Sequence, residues 1–336
     1  MMKLNRNLCL LIAGTIAMGL LTSCNQNTKN PDVSGTDSQT STETQTEAVT
    51  EGSTWKNGDI FANGDYASEV LATANDRMLN YAVTLFEQIY NTYLADGQHS
   101  VVMSVIPDKN YYMTQTESTP PTVDYNAFFD VFKNGTAGFS AYVDLTDALS
   151  LDDYYYTDIH WKQECILPAA NLIAQAFGHT LNAEYTQETV DVEFIGSYTD
   201  EAPDLGVRTD TLTYLSGEVF DGVTVTNYND ATPSDGVLYE TDITGNRNTY
   251  EVFLSGPTPL QIIENANAAT DRELIIFRDS FGSALAPLFC EAYAKITLVD
   301  LRYIQSSVLN QFITFEDQDV LFIYSTNVLN TAMVMK

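Results

Sequence analysis

The chain is predicted to fold as an α/β domain, with a parallel sheet flanked by helices and an antiparallel β-rich insertion. Two observations predict this class. Continuous apolar runs, short enough to be strands, alternate with helix-patterned segments, which is typical of a parallel sheet covered on both faces. Between about 189 and 254, short β-rich runs instead alternate with Gly, Asp, Asn and Pro, which is typical of hairpins.

The elements follow in chain order from the apolar periodicity. Before the insertion, the pattern predicts helices at 67–94, 125–132 and 162–177, and strands at 101–106 and 140–145. Pro107 ends the first of these strands. In the third helix, Pro168 either causes a kink or marks the true start, and Gly178 ends the helix. Within the insertion it predicts strands at 190–195, 211–215, 223–227, 237–241 and 250–254. After it come a strand at 273–277, a helix at 283–294, a strand at 296–300, a helix at 306–312 and a strand at 320–324.

The N-terminus has the pattern of an exported protein. Lys3 and Arg6 precede an apolar run over 8–21, which suits a signal peptide and is short for a membrane span. The run ends in Leu21-Thr22-Ser23-Cys24, which resembles a bacterial lipobox. That resemblance implies a lipoprotein signal peptide over 1–23 and an extracytoplasmic protein anchored to the cell membrane by lipid on Cys24. The alternative is an ordinary secretory peptide with a chance cysteine.

Composition divides the remaining chain. Residues 24–58 are mostly Ser, Thr, Gln, Asn and Glu, so we expect a disordered tether. Residues 59–336 are long enough for one large domain. The net charge is −30, and loss of Lys3 and Arg6 would make it −30 − 2 = −32. Such a surface repels nucleic acid, which is therefore excluded as a partner.

Charged and hydroxyl side chains follow three of the predicted parallel strands. Lys109 follows 101–106, Arg278 and Ser280 follow 273–277, and Arg302 follows 296–300, and the carboxyl ends of such strands are where ligands bind. Ser280 also opens a helix, whose free N–H groups could stabilise an oxyanion. The alternative is that Ser280 or Asp279 only caps the helix.

Asp158 and His160 are separated by a single residue. Three histidines occur in the chain, His99, His160 and His179, and His160 alone has a close acidic and aromatic setting. In extended backbone the two side chains point to the same side, so the carboxylate could hold one ring nitrogen while the other faces a serine. The alternative is a surface histidine, with Asp158 as a helix cap.

Tyrosines 154–156 precede this motif, and Tyr156 and Trp161 are candidate contacts for sugar rings, although half-buried packing is the alternative. Arg302, Lys109 and Arg278 are candidate ligands for substrate oxygens, or partners for some of the many carboxylates. Cys165 and Cys290 could form a bridge, but two free thiols are favoured. No metal-ligand spacing is evident, so neither metal nor cofactor is expected.

Five short blocks resemble, in order, the DHHW family of bacterial lipoproteins and secreted proteins. They are Pro107-Asp108-Lys109, Tyr156-Thr157-Asp158-Ile159-His160-Trp161, Phe194-Ile195-Gly196-Ser197-Tyr198, Arg278-Asp279-Ser280-Phe281-Gly282 and Asp300-Leu301-Arg302-Tyr303. The resemblance spans about 68–325. The first histidine of the family name is Ile159 here, and that position lies between the two triad candidates.

DHHW proteins in turn look like the SGNH-hydrolase-like domain of alginate O-acetyltransferases. The resemblance implies an SGNH-like fold with Asp158 as orienting acid, His160 as base and Ser280 as nucleophile. A Gly-x-Asn-Asp block for the oxyanion hole is missing, and Gly196 or Asn246 is the candidate replacement.

The implied function is an O-acetyltransferase or acetylesterase acting on cell-envelope polysaccharide. The implied partners are that polysaccharide, an acetyl donor and an envelope biosynthesis complex. The alternative is a non-catalytic glycan-binding or envelope-assembly lipoprotein.

Overall fold

The computed structural model describes residues 55–192, 194, 196–229, 232–243 and 249–336. The predicted signal peptide, Cys24, most of the tether and Asn246 lie outside the described residues. Residues 55–58, which were assigned to the tether, pair with the folded part: the Asn57 side chain donates to the Thr73 carbonyl at 2.7 Å and accepts the Ala72 N–H at 2.8 Å. The folded part therefore includes Trp55–Gly58, before the predicted boundary at 59.

Twelve strands and seven α-helices occur among the described residues. The strands are β1 (Ile60–Asn63), β2 (Tyr66–Glu69), β3 (Val101–Ile106), β4 (Ala141–Tyr142), β5 (Thr186–Thr189), β6 (Thr213–Ser216), β7 (Thr224–Tyr228), β8 (Ser234–Gly236), β9 (Leu260–Glu264), β10 (Glu273–Arg278), β11 (Lys295–Val299) and β12 (Asp319–Ser325). The helices are α1 (Asp76–Ile89), α2 (Lys109–Tyr112), α3 (Tyr125–Gly135), α4 (Leu167–Ala176), α5 (Ser197–Glu201), α6 (Phe281–Leu285) and α7 (Thr326–Asn330).

An eight-stranded sheet has the order β4-β3-β12-β10-β11-β9-β7-β8. The first five strands are parallel to one another, and β9, β7 and β8 add to the β11 edge in antiparallel fashion. The predicted α/β class is thereby confirmed. Because β3, β12, β10 and β11 are parallel, their carboxyl ends meet at one edge, as the site prediction required.

Two hydrophobic clusters cover the sheet. Successive residues of β10 alternate between them: Leu274 and Ile276 belong to one cluster, and Ile275 and Phe277 belong to the other. Since successive strand side chains point to opposite faces, each cluster covers one face. Helices α4 and α6 supply the first cluster, and α1, α3 and α7 supply the second.

The first predicted helix was too long at its start. Residues 66–69 form β2, which pairs with β1, and α1 begins only after Asn75, whose side chain accepts the Met78 N–H at 3.4 Å. Ala67, Val70 and Leu71 are buried, but so few apolar residues fit a strand as well as a helix. Pro168 lies in the first turn of α4. Of the two predictions for this proline, a kink or the true start of the helix, the second is therefore confirmed.

The predicted insertion does contain antiparallel strands, but these strands belong to two separate sheets. Strands β5 and β6 form a separate ribbon, whereas β7 and β8 join the main sheet together with β9, which was not predicted. The strand predicted at 250–254 is instead a 3₁₀ turn at Thr249–Val252. Tyr250 and Phe253 both bury their rings, with centroids 4.9 Å apart, and residues three apart share a face in a helical turn.

Candidate active site

Ser280, His160 and Asp158 form an unbroken hydrogen-bonded chain at the carboxyl edge of the sheet. The Ser280 Oγ lies 2.7 Å from His160 Nε2, and His160 Nδ1 lies 2.6 Å from Asp158 Oδ1. Asp158 and His160 are buried. The structure thus brings together side chains that are 120 positions apart along the chain, within the distances that proton transfer requires.

The Asp158 carboxylate is held in place by backbone N–H groups. Its Oδ2 accepts the N–H of Ser197, the first residue of α5, at 2.8 Å, and its Oδ1 also accepts the His160 N–H at 2.9 Å. Burial acts to raise the pKa of Asp158, but the charge and hydrogen bond of His160 and these backbone donors outweigh it, and the pKa is lowered below its ordinary value.

An ionised carboxylate can only accept hydrogen bonds, so Asp158 requires the proton on His160 Nδ1. The other ring nitrogen, Nε2, is then free to accept the Ser280 hydroxyl proton. The imidazole ring is also fixed by packing, because Tyr250 stacks on it at 3.7 Å and 5° between planes and Phe281 lies at 4.8 Å. The arrangement can therefore act as a general base on a serine hydroxyl.

Asp279, and not Ser280, caps the N-terminus of helix α6; capping by either residue was the alternative to a catalytic Ser280. Its Oδ1 accepts the Phe281 N–H at 3.1 Å, and its Oδ2 accepts both the N–H and the hydroxyl of Ser325 at 2.7 Å. It therefore joins the end of β10 to the end of β12. The Ser280 side chain makes no capping bond and instead faces His160.

Lys109 holds the loop that carries Asp158. The side chain is buried, and its Nζ donates to the carbonyls of Tyr155 at 2.9 Å and Asp158 at 2.8 Å. Burial lowers the pKa of Lys109 to about 7, and the nearby carboxylates of Asp158 and Asp210 oppose that shift. Substrate contact by Lys109 remains a prediction, and a buried ammonium that is bonded to carbonyls does not favour it.

Asp210 holds the same loop from its other side. Its carboxylate accepts the N–H groups of Tyr156 at 2.8 Å and Thr157 at 2.7 Å, and also the Thr157 hydroxyl at 2.6 Å. Between Lys109 on the carbonyls and Asp210 on the N–H groups, the backbone of 155–158 has little freedom to move. Asp210 was not predicted from the sequence, because an isolated aspartate in a β-rich segment carries no local signal.

Arg278 and Arg302 share one carboxylate beside Ser280. Arg302 Nη2 lies 2.7 Å and Arg278 Nη1 lies 3.5 Å from Asp300 Oδ2, and Arg278 Nη2 donates to Gln261 at 2.9 Å. Arg278 Nε is buried, with no hydrogen-bond partner among the described residues. Both arginines line a cavity of about 200 Å³ that also includes His160, Ser280 and the acidic Glu251. Their predicted contact with substrate oxygens is compatible with this position.

The predicted sugar contacts lie elsewhere. Trp161 is fully buried and donates from Nε1 to the Phe281 carbonyl at 3.1 Å, so it orients α6. Tyr156 packs on Tyr66 at 4.6 Å and accepts a hydrogen bond from Arg208 at 2.9 Å. Neither lines the Ser280 cavity, and substrate contact by either remains an untested prediction.

Gly196, a candidate oxyanion donor, packs against the Asp158 loop. A Cβ at this position would lie 2.2 Å from the Thr157 carbonyl oxygen, so only glycine allows this approach. Gly196 is absent from the lining of the Ser280 cavity, and the other candidate, Asn246, lies outside the described residues. The oxyanion roles therefore stay predictions.

Tyr250 and Tyr303 also line the Ser280 cavity, although neither was predicted from the sequence as a site residue. Tyr303 belongs to the fifth DHHW-like segment, and it is 50% exposed, but the exposure of an aromatic ring is a tertiary property that the sequence does not show.

Cys165 and Cys290 are free thiols. Within the described residues, no cluster of three His, Cys, Asp or Glu side chains could hold a metal ion, and no helix has the length and apolar character needed to cross a bilayer.

No protein-family model matches the chain, and no curated protein matches it in sequence. Solved structures do resemble it. A DHHW family protein from Eubacterium siraeum is 21% identical with a TM-score of 0.63, over 79% of this chain and 88% of that one. PatB1 of Bacillus cereus, solved with a sulfonyl adduct, is 15% identical with a TM-score of 0.64, over 81% of this chain and 96% of that one.

The O-acetyltransferase domain of Pseudomonas putida AlgJ is more distant, at 13% identity and a TM-score of 0.49 over 82% of this chain and 93% of that one. At these identities the likeness is one of fold. The chain shares the α/β fold of the DHHW family protein and of PatB1, and the resemblance inferred from the five blocks is confirmed at the level of the fold.

Proposed function

We propose that this chain is an acyl-transfer enzyme in which Ser280 is the nucleophile, His160 the general base and Asp158 the orienting acid. The single observation that supports the proposal is the continuous hydrogen-bonded chain from Ser280 Oγ through the imidazole to Asp158. Each role matches the chemistry of its group: a hydroxyl needs a base to attack, and the base needs a fixed tautomer.

In the first half-reaction, His160 Nε2 takes the Ser280 proton as Oγ attacks the acetyl carbonyl of the donor. The bond from that carbon to the leaving oxygen breaks, and the imidazolium returns the proton to the leaving group. In the second half, an acceptor hydroxyl gives its proton to His160 and attacks the acetyl-serine. The Ser280 oxygen leaves and regains the proton from the imidazolium.

Arg278 and Arg302 are proposed to bind oxygens of the donor or acceptor. One carboxylate, that of Asp300, cannot accept from every N–H group of two guanidinium groups, so some of these donors remain for other acceptors. Arg278 Nε has no hydrogen-bond partner among the described residues and is one such donor. Donors placed beside the reacting carbonyl stabilise developing negative charge by about 3–4 kcal/mol each.

The proposed setting is the outer face of the cell membrane, reached through lipid on Cys24, with polysaccharide of the cell envelope as acceptor. The lipobox-like segment and the resemblance to DHHW proteins support this setting. Water in place of the sugar hydroxyl would make the enzyme an esterase, because transferase and esterase share the acetyl-serine step.

The test is turnover of p-nitrophenyl acetate by the mature chain beside Ser280→Ala and His160→Ala. We expect both variants to lose activity by at least about 10³-fold, while the exposed-loop control Ser118→Ala retains it. Equal rates in all four proteins would remove the enzymatic proposal. Glycan binding that survives Ser280→Ala, with no acetyl transfer, would favour the non-catalytic alternative.

A sulfonyl fluoride provides a second readout that does not need the natural substrate. PatB1 has been solved with a sulfonyl adduct. A sulfonyl fluoride is an electrophile, so the oxygen of an activated serine attacks its sulfur and fluoride leaves. We expect mass spectrometry to find the modification on the peptide containing Ser280, less of it in His160→Ala, and none at this site in Ser280→Ala. Labelling that is independent of His160 would contradict base activation.

A further inference from the structure

A second cavity of about 290 Å³ lies next to the Ser280 cavity. The two share Tyr303, and both are built from successive residues of the same two segments. Gly256 and Pro257 line the first cavity and Pro259 and Leu260 the second, while Arg302 lines the first and Ile304 the second. They are therefore consecutive parts of one cleft at the carboxyl edge of the sheet.

The second cavity differs in chemistry from the first. Its lining is mainly aromatic and aliphatic, with rings from Tyr228, Tyr303 and Phe312. Asn229 and Gln305 add two side-chain amides. Among the residues that the structure describes, no charged residue lines it. Tyr228 and Phe312 meet edge to face with centroids 6.0 Å apart, so they form an aromatic corner of the cavity.

We propose that this second cavity, hereafter the Tyr303 subsite, binds a neutral sugar residue adjacent to the one that reacts at Ser280. This inference rests on the proposed function, because it assigns the cavity to the acceptor chain. A pyranose ring has an apolar C–H face and a rim of hydroxyls, and the subsite offers aromatic rings together with two amides. Its volume is near the lower end of the range of about 300–1,000 Å³ for small-ligand pockets.

Charge decides between a neutral and an acidic sugar. An acidic sugar would lose hydration without gaining a cation from the lining, since no Lys or Arg occurs among the described lining residues, and the chain carries a net charge of −30. Removing a carboxylate from water without giving it a partner is unfavourable. The occupant is therefore an uncharged ring.

Tyr303 is the residue on which the subsite depends. Its side chain is 50% exposed, and the Arg302 guanidinium lies 5.5 Å from its ring centroid. Because the Tyr303 ring lines both cavities, it can contact one sugar residue in the second cavity while the adjacent sugar residue of the same chain lies near Ser280. A chain of at least two sugars is needed to occupy both positions.

The test measures binding in a Ser280→Ala background by calorimetry, so its outcome is independent of catalysis. Cellopentaose and chitopentaose are the neutral probes and polygalacturonate oligomers the acidic one. We expect millimolar or tighter binding of at least one neutral probe, and at least about tenfold weaker binding after Tyr303→Ala. The control Met333→Ala removes an apolar side chain that is 56% exposed and should leave the affinity unchanged.

A second variant, Val308→Trp, fills the subsite without removing Tyr303 and should weaken binding in the same way. Unchanged affinity in both variants would overturn the proposal, as would no binding of either neutral probe at millimolar concentration. Tighter binding of the acidic oligomer would overturn its neutral character. If sugar binding persists but wild-type protein transfers no acetyl group, the subsite stands and the proposed function fails.

Discussion

Asp158 determines which nitrogen of His160 carries the proton, so its replacement tests the chemistry of a single residue. In Asp158→Asn the amide can donate to Nδ1, which favours a proton on Nε2 and removes the acceptor for the Ser280 hydroxyl. We expect kcat for p-nitrophenyl acetate to fall by about 10³–10⁴, the size of effect seen when a triad carboxylate is neutralised. Asp130→Asn on the exposed face of α3 is the control, and a loss below about threefold at Asp158 would contradict the assigned tautomer.

The same carboxylate should make stability depend on pH. Its pKa in the folded protein lies below the unfolded value of about 3.9, so the folded state binds fewer protons. The stabilisation is complete above the unfolded pKa and is lost as pH falls toward the folded pKa. Urea unfolding between pH 3 and 5 should therefore show a shallower decline in the free energy of unfolding for Asp158→Asn than for the wild type. Parallel declines would show that Asp158 is not the titrating group.

At the scale of a residue, side-chain type was predicted better than side-chain direction. Ser280, His160 and Asp158 could be selected because each has a local sequence context that suits its role, and the fold then brings them together. Lys109 and Trp161 were chosen by the same reasoning, yet they point into the protein, and a linear pattern cannot distinguish a cation that faces a cleft from one that faces backbone carbonyls.

The contact between the start of α5 and the Asp158 loop is a property of two elements. A methyl group at Gly196 would lie 2.2 Å from the Thr157 carbonyl oxygen and would push α5 away, taking the Ser197 N–H from Asp158. We expect Gly196→Ala to lower the melting temperature by several degrees, from about 1–3 kcal/mol of overpacking, and to lower kcat. Gly138→Ala is the matched control, because its Cβ would meet nothing within 4 Å.

Lys109 fixes the same loop from its carbonyl side. Lys109→Met keeps the length of the side chain but leaves buried carbonyls without their donor, at about 1–3 kcal/mol for each unsatisfied group. We expect a loss of about 2–4 kcal/mol in the free energy of unfolding together with a lower kcat. Lys133→Met on the exposed end of α3 should change neither. Full activity in Lys109→Met would show that the loop at 155–158 keeps its geometry without the hydrogen bonds from the Lys109 ammonium.

Among the elements, buried strands were predicted most accurately. The strand at 101–106 has the predicted bounds. Strand β10 is one residue longer at its end, β11 is shifted by one residue toward the N-terminus, and β12 is one residue longer at each end. The predicted helix at 283–294 shortens to α6 followed by a 3₁₀ segment at Ala286–Glu291, which begins around Pro287. A proline there removes a backbone donor, and tertiary packing then selects the tighter turn.

For the whole molecule, the prediction concerns attachment to the membrane. If lipid on Cys24 is the anchor, Cys24→Ala expressed in a bacterial host should move the protein from the detergent phase to the aqueous phase and abolish its labelling by radioactive palmitate. Cys165→Ala is the matched control, because Cys165 lies in the folded domain. An unlabelled wild-type protein in the aqueous phase would favour the ordinary secretory peptide.

The sequence by itself determined the fold class, the buried parallel strands and the residue types gathered at their carboxyl ends. It could do so because continuous apolar runs report burial directly, and parallel strands bring their ends to one edge. Only the tertiary structure decided that Asp279 caps while Ser280 faces His160, that Asp210 and Lys109 hold the loop, and that Tyr303 stands between two cavities. Those facts depend on distances between segments far apart in the chain, which no local pattern encodes.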